Sequence, residues 1–174
     1  MPIKYLKNTA ILLAFVFIFL GCGNQSENQQ GNTKNQGVNM QNPPVQYITL
    51  SGKIGEMQNH HGYNGAVIIN DNIIKISGQG GWNREFDFPH EKLEDEINQA
   101  FENVAFVLES AGSDWSRVYS VTTYFTGKIT EEINQTMAKQ FKSRCKNLPI
   151  WTSVQVAGLG DARMRVEVVV EAYK

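Results

Sequence analysis

Two segments near the end of the chain carry the residue types best suited to chemistry on a small molecule. The first, LPIWTSVQVAGLG at residues 148–160, has no charged side chain and places Trp151 near its start. The second, VEVVVEA at residues 166–172, has strand periodicity, and Glu167 lies on the face opposite to its alternate valines. A carboxylate on an apolar strand is costly to bury without a purpose. Glu167 is therefore predicted either to act in a site or to pair with a cation of a neighbouring subunit.

Metal and thiol chemistry have weaker support. His60 and His61 are adjacent in sequence, and on a strand they would point to opposite faces, which suits a single metal ion poorly. The two cysteines, Cys22 and Cys145, are far apart and form no CxxC motif. Cys145 falls late in an amphipathic segment and is predicted to be an inert thiol. We therefore expect no metal site.

The overall composition limits the classes of partner. The chain has 174 residues, a formal net charge of −1 and 41% hydrophobic residues. This length suits one domain and a tail. Nucleic-acid-binding domains usually carry an excess of Lys and Arg on one face, and the charge balance here gives no sign of one. We expect no nucleic-acid partner.

The first 22 residues resemble a bacterial lipoprotein signal. Two lysines precede an apolar stretch at residues 10–20, a length typical of a secretory signal and short for a membrane-spanning helix. We expect a signal peptide at residues 1–21, lipidation of Cys22 and export to a bacterial membrane, inner or outer. An uncleaved anchor helix is the alternative. Residues 22–44 are rich in Asn and Gln, so they are predicted to form a flexible tether.

Residues 45–174 are predicted to form the folded domain. Alternating and β-branched runs predict three strands at its start, and the second and third form a hairpin at residues 70–72. A helix follows, which Gly112 ends. Its apolar stripe has spacings of three and four and consists of Leu93, Ile97, Ala100, Phe101, Val104, Val107, Leu108 and Ala111.

The second half of the domain alternates strands with one more helix. Residues 115–127 predict a strand, and Thr130 is suited to the N-cap of the helix that follows. Two final strands are expected at about residues 152–157 and 163–173. The resulting order βββαβαββ favours an α+β fold, with a mixed β-sheet and two helices on one face. The other face of the sheet then needs cover, which further subunits would provide.

Four phrases, in this order and at this spacing, make the chain similar to the RidA (YjgF) family. They are ISGQ (76–79), AFENVAFVLESAGSDWSRV (100–118), LPIWTSVQVAGL (148–159) and VEVVVEA (166–172). The resemblance implies a chorismate-mutase-like (bacillus-type) fold and a homotrimer, with an inner barrel of sheets and three clefts between subunits. It also implies hydrolysis of reactive 2-imino acids and their enamine tautomers to 2-keto acids and ammonia, without a metal or organic cofactor.

The resemblance assigns site roles residue by residue. Glu167 matches the catalytic glutamate that orients the attacking water. In active members an arginine, two residues after the proline of the fifth strand, grips the substrate carboxylate, as the planar guanidinium does well. That position here is Trp151. The other positions that match substrate-binding residues are Ser153, Asn134, Gly78, Ser77 and Tyr63.

The tryptophan in place of arginine leaves two main functions open. Loss of a charge-assisted hydrogen bond costs about 1.5–3 kcal/mol, unless Arg84, Arg163 or Arg165 takes its place in space. The first function is an imine or enamine hydrolase with a changed substrate. The second is a non-catalytic, lipid-anchored trimer that binds a small molecule stacked on Trp151 in the inter-subunit cleft. Trp151 as a packing residue, in a purely structural protein, is the third possibility.

Overall fold

The computed structural model describes residues 44–174. The predicted signal peptide, the lipidation at Cys22 and the tether as far as residue 43 lie outside the described residues. Within residues 44–174, no helix has the length and apolar character needed to cross a membrane.

The described residues form six β-strands and three α-helices. The strands make one mixed sheet, and helices pack on it. In chain order the elements are β1 (Val45–Ile48), α1 (Gly52–His61), β2 (Ala66–Ile69), β3 (Ile73–Ile76), α2 (Leu93–Ser110), β4 (Val118–Phe125), α3 (Glu131–Arg144), β5 (Ile150–Gln155) and β6 (Val166–Tyr173). The strand order in the sheet is β1-β2-β3-β6-β4-β5, with β4 and β5 parallel and all other neighbours antiparallel. The predicted α+β class and mixed sheet are confirmed.

The turn and cap signals of the sequence correspond to the observed ends of elements. Asn70 and Asp71 adopt positive φ angles of 51° and 56°, as a tight β2–β3 hairpin requires. Gly112 is left-handed, with φ 79°, just after α2. The Thr130 side chain accepts a hydrogen bond from the backbone N–H of Ile133 and so caps α3.

The hydrophobic core lies between one face of the sheet and helices α2 and α3. The apolar stripe of α2 packs on β6, whose residues Val166, Val168 and Val170 are all buried. Helix α3 adds the stripe that its spacing predicts. Its buried apolar residues are Ile133, Met137 and Phe141. The face of β6 that carries Glu167 is only partly buried.

Helix α1 is the one α-helix that the predicted order lacks. Ile54 and Gln58 are buried at a spacing of four, and Gly62 ends the helix in the left-handed conformation with φ 76°. The segment was missed because its ten residues carry few apolar side chains and two glycines. His60 and His61 therefore lie at a helix end, not on a strand. Residues Trp115–Arg117, predicted as the start of a strand, form a 3-10 helix before β4.

The last two strands are displaced by a few residues from their predicted bounds. Strand β5 begins at Ile150, next to the proline, and β6 begins at Val166 because residues 161–164 form a turn closed by the hydrogen bond from Met164 N to Asp161 O, 3.0 Å. This turn brings Asp161 and Met164 close to the start of β6, where Glu167 lies.

Candidate functional site

A cavity of about 330 Å³ lies beside Glu167. Its wall combines two carboxylates, a phenol, an imidazole and several large apolar groups. The lining residues are Met57, His61, Tyr63, Gly78, Trp82, Phe86, Gly160, Asp161, Met164 and Glu167. The structure thus brings together three of the predicted site residues, Glu167, Tyr63 and Gly78.

Glycine at position 78 allows the Glu167 carboxylate to lie against the backbone. Gln79 and Val168 form a two-way backbone bridge, with N···O distances of 2.9 and 2.8 Å, so the segment after β3 runs beside β6. A Cβ atom at position 78 would overlap Oε1 and Cδ of Glu167. The SGQ phrase is therefore the structural support of the carboxylate.

A buried carboxylate on α2 fixes the start of β6. Oε1 of Glu96 accepts hydrogen bonds from the backbone N–H groups of Arg165, at 2.7 Å, and Val166, at 3.3 Å. Its Oε2 accepts from Nε of Arg165 at 2.6 Å. Because Val166 directly precedes Glu167, this network sets the position from which the Glu167 side chain projects.

Helix α2 also holds the aromatic wall of the cavity. Asn103 is fully buried and its amide donates to the carbonyl oxygens of Gly80 and Trp82, at 2.8 and 2.7 Å. The Trp82 ring packs against Phe86, with 5.0 Å between ring centroids. The loop after β3 is thus anchored to α2, and Trp82 is only 5% exposed.

Glu167 has no compensating partner among the described residues, and burial alone raises the pKa of its carboxyl. Burial also raises the pKa of the Tyr63 hydroxyl, and the negative charge of Glu167 raises it further. Tyr63 therefore stays protonated at neutral pH and can donate a hydrogen bond. A carboxyl with a raised pKa beside a neutral phenol is a pairing suited to general acid–base catalysis.

The raised pKa predicts that Glu167 destabilises the fold when it is ionised. The native state holds the Glu167 proton more tightly than the unfolded chain does, so the free energy of unfolding falls as pH rises through the window between the two pKa values. We expect Glu167→Gln to be more stable than wild type at about pH 7.5, with the difference shrinking as the pH falls through this window and absent below about pH 4. Urea unfolding at a series of pH values measures this.

Glu171 provides the matched control on the same face of β6. A hydrogen bond from Lys75, with Nζ 2.8 Å from Oε1, lowers the pKa of its carboxyl. The ionised Glu171 carboxylate therefore adds to the free energy of unfolding, whereas ionised Glu167 lowers it. Glu171→Gln should be slightly less stable than wild type at neutral pH, and this loss of stability should fade as the pH drops. A lower stability of Glu167→Gln at neutral pH would contradict the assignment.

Trp151 lies on the other side of the sheet from Glu167 within one protomer. Its Nε1 donates to Oγ1 of the buried Thr123 at 3.0 Å, and its ring meets Phe141 of α3 with 5.4 Å between centroids. It pairs across the ladder with the buried Val121 of β4 and so points toward the helices. Glu167 pairs with Tyr124, the next residue after Thr123, and so points the opposite way.

The three remaining predicted residues do not line the cavity of the same protomer. Ser153 Oγ lies 3.4 Å from Oγ1 of Thr123, on the Trp151 side of the sheet. Ser77 Oγ accepts from the side-chain amide of Gln79 at 3.1 Å and so supports the Gly78 segment. Asn134 is partly buried in the first turn of α3.

Each arginine considered as a replacement is engaged elsewhere in the protomer. Arg84 stacks on Phe106, with the guanidinium carbon 3.8 Å from the ring centroid. Arg163 binds Asp161 through two nitrogens, at 3.0 and 2.8 Å, and these bonds lower the pKa of Asp161 to about 2. Arg165 uses its remaining N–H groups on the carbonyl oxygens of residues 90 and 91.

Sequence reasoning missed the apolar and aromatic part of the wall. Met57 and His61 come from α1, and a signal for them existed in the spacing of Ile54, Gln58 and His61 before Gly62. Phe86, Asp161 and Met164 come from loops, where no periodicity marks them. Within residues 44–174 no cluster of three or more His, Cys, Asp or Glu side chains could hold a metal ion.

Comparisons with known proteins agree with this fold. The family model described as Endoribonuclease L-PSP matches residues 53–174, and no curated protein matches the chain. The yeast protein YEO7 is 27% identical, with a TM-score of 0.58 over 65% of this chain and 87% of that one. The Rid-family protein YyfA from Yersinia pestis is 26% identical, with a TM-score of 0.58 over 65% of this chain and 88% of that one.

RidA from an Antarctic Psychrobacter is similar in fold. It is 23% identical, with a TM-score of 0.58 over 76% of this chain and its own entire length. The family model covers most of the described residues, including every residue that lines the cavity. The chain therefore belongs to the Endoribonuclease L-PSP family, also called the RidA or YjgF family, and has its chorismate-mutase-like α+β fold.

Proposed function

We propose that the protein hydrolyses reactive C=N bonds at the Glu167 cavity. The observation that carries this proposal is the Glu167 carboxylate itself, which is partly buried and unpaired and lies against Gly78 in a cavity large enough for a small molecule. An uncompensated carboxylate in such a place costs stability, and catalytic groups are a common reason for a protein to keep one.

Glu167 would orient and deprotonate the attacking water. Water adds to the carbon of a protonated imine, a C–O bond forms, and the π electrons of the C=N bond move to nitrogen. Glu167 accepts one proton from water and returns it to the nitrogen. As the C–N bond of this adduct breaks, Glu167 takes the remaining hydroxyl proton and passes it to the departing ammonia, so that a carbonyl compound and ammonium leave. The Tyr63 hydroxyl would donate a hydrogen bond to the oxygen of the attacking water as it becomes the carbonyl oxygen.

The alternative is a binding protein with no turnover. Stacking of a ligand on Trp151 has less support, because the indole already packs on Phe141 and donates to Thr123. The name of the family model refers to ribonuclease activity. For this chain, a cavity lined by Glu167 and Asp161 and by no Lys or Arg does not favour a phosphate backbone.

The assembly and the location belong to the same proposal. A homotrimer would cover the half-exposed face of the sheet, where Ile150 on the edge strand β5 is 73% exposed, and would bring residues of a neighbour to the cavity. Lipidation at Cys22 would hold the domain at a membrane. If the wild-type chain incorporates labelled palmitate and Cys22→Ala does not, the anchor at Cys22 is supported. Labelling that persists in Cys22→Ala would exclude it.

Ammonia release from imines generated in situ tests the activity. The purified full chain is offered imines made by oxidase treatment of amino acids, including 2-iminopropanoate and 2-iminobutanoate, and of simple amines. Faster ammonia release than in buffer, in proportion to protein concentration, supports the proposal. Rates equal to buffer for every imine exclude it.

A further inference from the structure

The cavity beside Glu167 contains negative charge and no positive charge of its own. Two of its lining residues, Glu167 and Asp161, carry carboxylates, and none is a lysine or arginine. Asp161 is compensated by Arg163, which binds both of its oxygens. Glu167 is left without a partner among the described residues.

The two cations that flank the wall residue Met164 in sequence are already engaged in other contacts. The Arg163 guanidinium lies over Phe88, with its carbon 4.3 Å from the ring centroid. Arg165 is held by the buried Glu96 and by two backbone carbonyls. Neither can turn to a ligand without abandoning these contacts. Within one protomer, a ligand carboxylate would therefore approach Glu167 as a like charge, which is costly at short range away from bulk water.

The rest of the wall suits an apolar group or a cation. Trp82 and Phe86, whose ring planes are tilted by 34°, present aromatic surface, and Met57 and Met164 add polarizable thioethers. Aromatic rings attract a nearby cation through their quadrupole. His61 is the remaining titratable group of the lining from α1.

We infer that the Glu167 cavity takes protonated imines that have an apolar or aromatic substituent and no carboxylate, the reverse of a 2-imino acid. This rests on the proposed function. The balanced reaction is an iminium ion plus water to a ketone or aldehyde plus ammonium, so the cation that pairs with Glu167 in the bound state leaves as ammonium. The iminium supplies the missing counter-charge of the carboxylate, and the product carbonyl does not, which favours product release.

Three matched imines separate the effect of charge from that of size. Oxidation of benzylamine, phenylglycinamide and phenylglycine gives imines whose carbon bears hydrogen, a carboxamide or a carboxylate beside the same phenyl ring. The purified full chain should give kcat/KM values at least about tenfold higher for the first two than for the carboxylate, about 1.4 kcal/mol or more. The carboxamide, nearly isosteric with the carboxylate, isolates the charge.

A binding experiment with stable probes makes the failures distinguishable. Benzylammonium should bind at least about tenfold more tightly than benzoate by calorimetry, and Glu167→Gln should remove the preference for benzylammonium over benzyl alcohol. Equal or faster turnover of the carboxylate imine would overturn the inference and leave the proposed function intact. Charge-selective binding without turnover of any imine would overturn the proposed function alone. No turnover and equal binding of benzoate and benzylammonium would overturn both.

Discussion

Replacing Glu167 by glutamine is expected to lower kcat for imine hydrolysis by about 10²–10⁴-fold, the usual contribution of a general acid–base group. Glutamine keeps the size of the side chain and can still hold a water molecule, but it cannot accept its proton. Because Glu167 makes no hydrogen bond or ion pair among the described residues, the substitution breaks no structural contact. The measurement is steady-state ammonia release at saturating imine.

Glu171→Gln is the matched control for this experiment. Glu171 lies on the same strand and the same face but pairs with Lys75 and accepts a hydrogen bond from Tyr119 at 2.9 Å, away from the cavity. The kcat of Glu171→Gln should stay within about twofold of wild type, because a solvent-exposed ion pair contributes little to the stability of the fold. Equal losses in both variants would mean that charge on this face matters in general and would contradict a catalytic role specific to Glu167.

Replacing Glu96 by alanine is expected to lower the free energy of unfolding by about 3–5 kcal/mol, as breaking a buried ion pair does. The Glu96 side chain is 3% exposed and accepts hydrogen bonds from the backbone of Arg165 and Val166 and from Nε of Arg165. Removal of the carboxylate leaves these donors unpaired and a guanidinium without its counter-ion. Urea denaturation followed by far-UV circular dichroism measures the loss.

A second carboxylate on the same helix separates this effect from a general loss of charge. Glu102 also pairs with an arginine, Arg144, but its side chain is 56% exposed. Glu102→Ala should cost no more than about 1 kcal/mol. Glu96→Gln should fall between the two alanine variants, because the amide oxygen still accepts from the backbone. A cost of under about 1 kcal/mol for Glu96→Ala would show that the network does not fix the start of β6.

Much of the fold could be predicted because its signals are local. The stripe of α2, the Thr130 cap and the turn at Asn70 and Asp71 each depend on residues within a few positions of one another, and each is found in the structure. The alternation of VEVVVEA correctly separated the buried valines from Glu167. Similarity of phrases to a known family then supplied the chorismate-mutase-like fold, which local patterns cannot give.

The parts of the site that could not be predicted depend on contacts distant in sequence. The resemblance placed Trp151 beside Glu167 in a cleft between subunits, but which side of the sheet each faces within one protomer follows from the ladder between β4 and its neighbours. Trp82 could be assigned to a loop, yet its place in the wall depends on Asn103 of α2, 21 residues away. The sequence likewise does not show that Arg163 and Arg165 form ion pairs with Asp161 and Glu96.

The rate of ammonia release by Gly78→Ala, measured beside Gly127→Ala, tests the central claim most directly. A Cβ at position 78 meets Oε1 and Cδ of Glu167, whereas a Cβ at position 127 meets nothing within 4 Å. Since the end of the Glu167 side chain can move aside, Gly78→Ala should fold normally. We expect it to turn over imines about 10²-fold more slowly, as displaced catalytic groups do, and Gly127→Ala to match wild type. Wild-type turnover by folded Gly78→Ala would contradict the claim that Glu167, held against Gly78, performs the chemistry.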